Sequence, residues 1–358
     1  MYTDFYKFRA LPFQLSPDPR FWFASENHRK AMAYLAYGLN QGEGFVVITG
    51  NVGTGKTTLI NHLLSELDEA QYVAGTIVSS QLDPADTLRM VATAFKIPCV
   101  GDDKATLLHK IDDLLKTAHR AGRRALLVID EAQNMPTRSL EELRMLSNFQ
   151  VDGQVAIQTL LAGQEQFRPM LASPDLEQLR QRVVASYHLG PLNFADTQAY
   201  VEHRLRMVDW RGDPAFTEGA YRLIFEETRG IPRRINTLCS RLLLFGFLDE
   251  LHTIDDEVVR TVADELRRET AGGERAVVQP PSNGAGGPGD SPGALDDLTD
   301  RIAVLERYVA AHERTIQRGL DIVARYFSDG HLSSQLRRSP DREGQADEPD
   351  DRTVDSSH

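Results

Sequence analysis

The stretch from Phe45 to Thr58 constrains this chain more than any other. It reads as an apolar strand, a glycine-rich turn over Gly50, Asn51, Val52, Gly53, Thr54 and Gly55, and a helix opening at Lys56, Thr57 and Thr58. Leu59, Ile60, Leu63 and Leu64 carry that helix onward. Gly50, Gly55, Lys56 and Thr57 fit the G-x-x-x-x-G-K-[ST] pattern of a phosphate-binding loop. Glycines let successive backbone N–H groups turn inward toward phosphate oxygens, and the helix N-terminus adds its positive dipole end. A lysine at position 56 reaches β- and γ-phosphates, and a threonine at 57 offers a hydroxyl to Mg²⁺. The competing account is a glycine-rich strand–helix turn with no ligand. The apolar strand before it and the helix after it favour the nucleotide site.

The chain has 358 residues, 41% of them hydrophobic, which is enough for two domains with appendages. A formal net charge of −12 argues against chain-wide attraction to nucleic acid or anionic lipid. Cys99 and Cys239 have no metal-ligand spacing and read as buried free thiols in a reducing compartment. The segment from Met1 to Arg9 lacks the apolar core of a signal peptide, and no run approaches the ~18 apolar residues of a membrane span. The expected location is cytoplasmic, free or held peripherally at the inner membrane through partners.

Residues 1–27 combine Phe5, Tyr6, Phe8, Phe13, Phe21, Trp22 and Phe23 with Pro12, Pro17 and Pro19. They predict an extended packed arm, serving as a strap over the core, as a wall of a base pocket, or as both. Helical periodicity is expected over 28–41, from Asp83-Pro84 through Phe95, over 102–121 and over 138–149. Apolar strands are expected at Tyr72–Val78 (a buried strand), 123–131, Val155–Ala162 and Val183–Leu189. Apolar strands alternating with helices predict an α/β unit over 28–191, its sheet parallel and covered on both faces. After Pro191 only helical periodicity remains, predicting a small all-α domain over 192–270. A Gly/Pro linker over 271–295, a coiled-coil helix over 296–327 and a disordered acidic tail over 328–358 complete the reading.

A phosphate loop alone specifies binding; hydrolysis needs a carboxylate that activates water. The strand ending in Asp130 and Glu131 supplies it, with Asp130 as a Mg²⁺ ligand beside Thr57 and Glu131 as general base. Beyond the next strand, Gln164 is the candidate for contacting the γ-phosphate or the water, with Thr159 as alternate and ordinary loop polarity as the competing account. Arg180 and Arg182 precede the last strand, and Arg233 and Arg234 open a helix of the small domain. Arginine spreads transition-state charge on a phosphoryl group. Supplied by a neighbouring subunit it couples turnover to assembly; supplied by the small domain it couples turnover to lid closure. Solvated salt bridging is the alternative for each of these arginines.

Together these segments resemble the AAA+ ATPases, more closely the ExeA-like (general secretion pathway A) group, and most nearly the ATPases associated with exosortase (PEP-CTERM) sorting and exopolysaccharide loci. The resembling motifs are Pro12-Phe13 with Pro17-Asp-Pro-Arg-Phe21, Gly50 to Thr58, Leu127 to Asn134, Glu141 to Asn148, Leu179 to Arg182 and Gly230 to Asn236. The resemblance implies a P-loop AAA+ core with a parallel five-stranded sheet in the order 5-1-4-3-2, a helical lid, ATP and Mg²⁺ as ligands, and nucleotide-linked homo-oligomers. It makes Lys56 and Thr57 Walker A, Asp130 and Glu131 Walker B, Gln164 a sensor 1 candidate and Arg233 a sensor 2 candidate. The implied function is ATP hydrolysis that drives assembly or remodelling of an envelope secretion, exopolysaccharide export or protein-sorting system. Two alternatives stand beside it: a DNA-associated AAA+ module of the transposition type, disfavoured by the acidic balance, and a nucleotide-gated scaffold with little turnover.

Overall fold

The computed structural model describes residues 2–15, 18–78 and 86–274. The coiled-coil helix and acidic tail expected beyond 295, most of the linker, and Asp83-Pro84 lie outside the described residues. The N-terminal arm is not wholly extended. It begins with one helical turn, α1 (Tyr2–Phe5), and includes a 3₁₀ turn at Pro19–Phe21. Burial of Tyr2, Tyr6 and Phe8 on one hydrophobic cluster outweighs the weak intrinsic stability of so short a helix.

Next come α2 (Glu26–Gln41), β1 (Phe45–Gly50), α3 (Lys56–Glu66), β2 (Tyr72–Val78), α4 (Thr87–Ala94), α5 (Lys104–Arg120) and β3 (Arg124–Asp130). The Ser25 hydroxyl caps α2 by accepting from His28 N–H, and α2 stops at Gly42 in the left-handed conformation. After α6 (Thr137–Leu146), β4 (Gln150–Val151) and β5 (Gln154–Val155) form a hairpin. Its turn residues Asp152 and Gly153 both have positive φ, as a two-residue type I′ turn requires. The hairpin absorbs Val155, so the strand expected from 155 begins later, as β6 (Ile157–Gly163). Then follow α7 (Phe167–Leu171), α8 (Glu177–Arg180) and β7 (Val183–Leu189).

The five long strands form one parallel sheet in the order β2-β3-β6-β1-β7. Numbered within the sheet and read from the β7 edge, this is 5-1-4-3-2. The register aligns the carboxyl ends: Gly50 lies opposite Leu189, Thr49 opposite Gly163, and Val78 opposite Asp130. Side chains of the central strands alternate between two cores. Phe45, Val47, Leu127 and Ile129 pack toward α4, α5 and α6, and Val46, Ile48, Leu126 and Val128 toward α2 and α3. Strand β2 is an edge strand and only half-buried, with Val78 exposed, which corrects its reading as a buried strand. Its apolar sequence carries no record of which strand lies at the edge.

The remainder comprises α9 (Phe194–Arg206), β8 (Ala215–Phe216), α10 (Glu218–Thr228), α11 (Pro232–Leu248), β9 (Thr253–Ile254) and α12 (Asp256–Glu274). This part is not all-α: β8 and β9 pair in parallel, with Ala215 N–H donating to His252 C=O and Thr217 N–H to Ile254 C=O. Two-residue strands are too short to leave a periodicity in sequence. The arm joins this helical part, since Tyr6, Phe8, Phe13 and Phe21 share a cluster with Leu205, Tyr221, Ile235 and Leu242. Cys239 is buried here, whereas Cys99 is only half-buried. Among the described residues no helix is long and apolar enough to cross a membrane.

Candidate active site

The carboxyl ends of β1 and β3 meet a cavity of about 340 Å³, within the range of small-ligand sites. The glycine-rich turn contributes Gly53, Gly55, Lys56 and Thr57; the arm contributes Phe21, Trp22 and Phe23; the helical part contributes Tyr200, Arg204, Arg233 and Asn236. The aromatic arm therefore packs as a strap and also lines the cavity, because Phe21 belongs to the helical core cluster and faces the cavity as well.

Lys56 is buried, and its Nζ donates to the carbonyls of Gly50 (2.8 Å) and Asn51 (3.1 Å). Burial pushes its pKa down, and the nearby charges of Glu131 and Asp130 pull it back up. No carboxylate among the described residues pairs with it directly, so this ammonium is set to receive an anion. Thr57 Oγ1 donates to Asp130 Oδ2 at 2.6 Å, and Asp130 Oδ1 accepts from Glu131 N–H at 2.9 Å.

Glu131 follows the strand in a left-handed backbone conformation (φ 57°, ψ 39°) that a non-glycine residue rarely adopts. Its Oε2 accepts from the side-chain amides of Gln164 (2.8 Å) and Gln133 (2.5 Å), while Gln133 Oε1 accepts from Gln164 N–H (2.8 Å). Gln133 is a site residue that sequence reasoning missed. Its signal was an amide two positions beyond the strand-end carboxylate, inside a motif otherwise read only for its acids.

Two close approaches tie the glycine-rich turn to its surroundings. Gly53 has φ +82°, and a Cβ there would lie 2.6 Å from Arg233 Cβ. Gly53 C=O accepts from Arg233 N–H at 3.2 Å, so α11 is seated directly on the turn. Gly55 has φ +99°, and a Cβ there would lie 2.9 Å from His28 Nε2. His28, also missed in sequence, is buried beneath the turn, with Nδ1 2.7 Å from Ser25 Oγ and the Trp22 ring edge-on at 5.2 Å.

The remaining candidates are not gathered here. Thr159 is buried at the start of β6, opposite Phe45, far from the carboxyl end. Arg182 immediately precedes β7, where Val183 lies opposite Phe45, roughly 17 Å along the sheet from the glycine-rich turn. Its Nη1 donates to Ser147 Oγ at 2.8 Å, and Arg180 Nη2 lies 3.9 Å from Glu177 Oε1. Arg234 is exposed and does not line the cavity.

A parallel sheet in this order, with a phosphate loop after β1, two acids after β3 and a helical part over the cleft, is the architecture of AAA-type P-loop ATPases. A family model described as an AAA domain matches residues 39–171. General secretion pathway protein A of Aeromonas hydrophila is 40% identical over 255 residues, covering 71% of this chain and 46% of that protein. The chain thus spans about half the length of that curated relative. It belongs to the AAA+ ATPases, in the group of general secretion pathway protein A. Among solved structures, the Aeropyrum pernix ORC2 protein in its ADPNP–ADP complexes matches with a TM-score of 0.56 at 17% identity, covering 72% of each chain. Cdc6p of Pyrobaculum aerophilum matches with a TM-score of 0.56 at 18% identity, covering 71% of this chain and 70% of its own. At that identity the structural matches bear on the fold alone.

Proposed function

We propose that the chain binds ATP with Mg²⁺ in this cavity and hydrolyses it, and that turnover drives assembly or remodelling of a secretion or export system of the cell envelope. The observation that carries the reading is the convergence of three groups on one cavity: the buried Lys56 ammonium, the Glu131 carboxylate, and Arg233 from the helical part. Lys56 and the backbone of the turn hold the phosphates, the aromatic arm packs on the base, and Glu131 accepts a proton from the attacking water. Gln133 and Gln164 hold the carboxylate in place for that transfer. The Thr57 hydroxyl and Asp130 carboxylate, 2.6 Å apart, suit Mg²⁺, which takes few protein oxygens and completes its shell with phosphates and water. When bound, the ion supplies charge neutralisation on the β- and γ-phosphates.

Arg233, whose backbone is bonded to Gly53, links the phosphates to the position of the helical part. Arg180 and Arg182, at the opposite end of the sheet, are remote from their own cavity; in a homo-oligomer a neighbouring subunit's site is the one they would serve. The secretion role rests on the likeness to general secretion pathway protein A. Glu131→Gln is the direct test. It retains ATP affinity within a few fold and loses turnover by at least about a hundredfold; unchanged kcat removes Glu131 from the mechanism. Co-purification with this variant held on ATP identifies the partners, and envelope export components are the expected catch.

A further inference from the structure

Arg204 of α9 is a cation for which the proposed hydrolysis has no use. It is 6% exposed and lines the cavity. Its guanidinium lies against two rings, with Cζ 4.6 Å from the Phe21 centroid and 5.5 Å from that of Tyr200. Nε donates to Tyr200 Oη at 3.1 Å and Nη2 to Gln14 C=O at 3.4 Å. Nη1 is buried with no hydrogen-bond partner among the described residues. No carboxylate among those residues pairs with Arg204. Asp18, which shares the cavity wall, is already engaged by Arg20 (Nη2–Oδ2 2.7 Å) and by Gln14 Nε2 (3.1 Å). A buried charged donor left unsatisfied is destabilising by more than a typical hydrogen bond contributes, so such an arrangement calls for an acceptor.

The polarity of the neighbouring hydrogen bonds says what kind of ligand group fits. Tyr200 Oη accepts from Arg204, so its own proton goes to Asn236 Oδ1, 2.8 Å away. With Oδ1 turned to the tyrosine, the Asn236 amide offers its NH₂ elsewhere. Arg204 and Asn236, joined through Tyr200, thus form a buried wall whose donors come from the guanidinium and the amide, beside the flat rings of Phe21, Trp22 and Phe23. A nucleotide whose phosphates occupy the glycine-rich turn directs its base toward the arm and α9. We propose that Arg204, with Asn236 beside it, is a specificity-determining residue that donates to a ring-nitrogen acceptor on the edge of the purine. This deepens the ATP-binding reading and rests on it.

Calorimetric binding of ATP and of its 1-deaza, 3-deaza and 7-deaza analogues tests the assignment, because each analogue lacks one ring acceptor. Wild type is expected to bind one analogue at least about tenfold more weakly than ATP. Arg204→Met keeps the stem and removes every donor; it is expected to lose the same factor for ATP and nothing further for that analogue. Tyr200→Phe, which releases Nε, is expected to weaken ATP several-fold and spare the same analogue. Equal wild-type affinity for ATP and all three analogues overturns the proposal without any variant, as does full discrimination retained in Arg204→Met or a loss confined to 2′-deoxy-ATP. A wild type that binds no ATP overturns the parent reading along with this one.

Discussion

The Gln164 side-chain amide donates to Glu131 Oε2 at 2.8 Å, joining the residue just past β6 to the acid just past β3. Gln133 reaches the same oxygen from the acid's own loop. The Gln164 amide is thus engaged by Glu131 in this structure, and the proposed role that fits this contact is positioning of the carboxylate.

Removing that amide should misplace the base without emptying the site. Gln164→Leu is expected to lower kcat by roughly ten- to a hundredfold with KM for ATP little changed, since the lost bond orients a charged group. The double variant with Gln133→Leu should fall further than either alone. Steady-state kinetics across the set checks both statements, and a rise in KM at constant kcat would contradict them.

The seat of α11 on the glycine-rich turn gives a stability prediction. Gly53→Ala puts a Cβ 2.6 Å from Arg233 Cβ at a φ of +82°. The substitution is expected to cost about 1–3 kcal/mol and to weaken ATP binding as the helical part lifts from the turn. Denaturant melts and calorimetry on the same sample report the two effects together.

His28 gives a pH prediction. Burial holds its pKa down to about 4, against the ordinary 6.5, with a backbone hydrogen bond to Thr54 opposing. Between those values the unfolded chain binds a proton that the folded protein refuses, so stability falls as pH falls. The contribution is complete above about pH 6.5 and is lost as pH drops through about 4, to a total of about 3 kcal/mol. Urea midpoints at pH 7.5 and 4.5 should separate more for wild type than for His28→Asn; equal separations would show that His28 does not contribute.

Phe13 connects arm and helical part. It is buried in the cluster with Leu205 and Leu242, and Phe13→Ala should cost about 3 kcal/mol by leaving a cavity there. The same arm supplies Phe21, Trp22 and Phe23 to the active-site cavity, so ATP affinity should fall as well. Thermal melts with and without ATP measure both changes.

The alternation of apolar strands with amphipathic helices was enough to predict the parallel sheet, because strands buried on both faces must be apolar along their whole length. The spacing of Gly50, Gly55, Lys56 and Thr57 and the acids ending β3 announced a phosphate site for a similar reason: local chemistry demands those residue types close together in the chain. Contacts between distant segments had no such local signature. That β2 lies at an edge, that β8 finds β9, and that Gln133 and Gln164 share one oxygen of Glu131 all depend on how the strands line up in space. The same holds for His28 beneath the turn, and for the buried guanidinium of Arg204 among Phe21, Tyr200 and Gln14, which in sequence is one more arginine on a helix. The class of sheet and the glycine-rich turn are legible along the chain, because they rest on periodicity and short-range backbone geometry. Which side chains surround that turn emerges only in three dimensions, because burial and hydrogen-bond direction are set by neighbours remote along the chain.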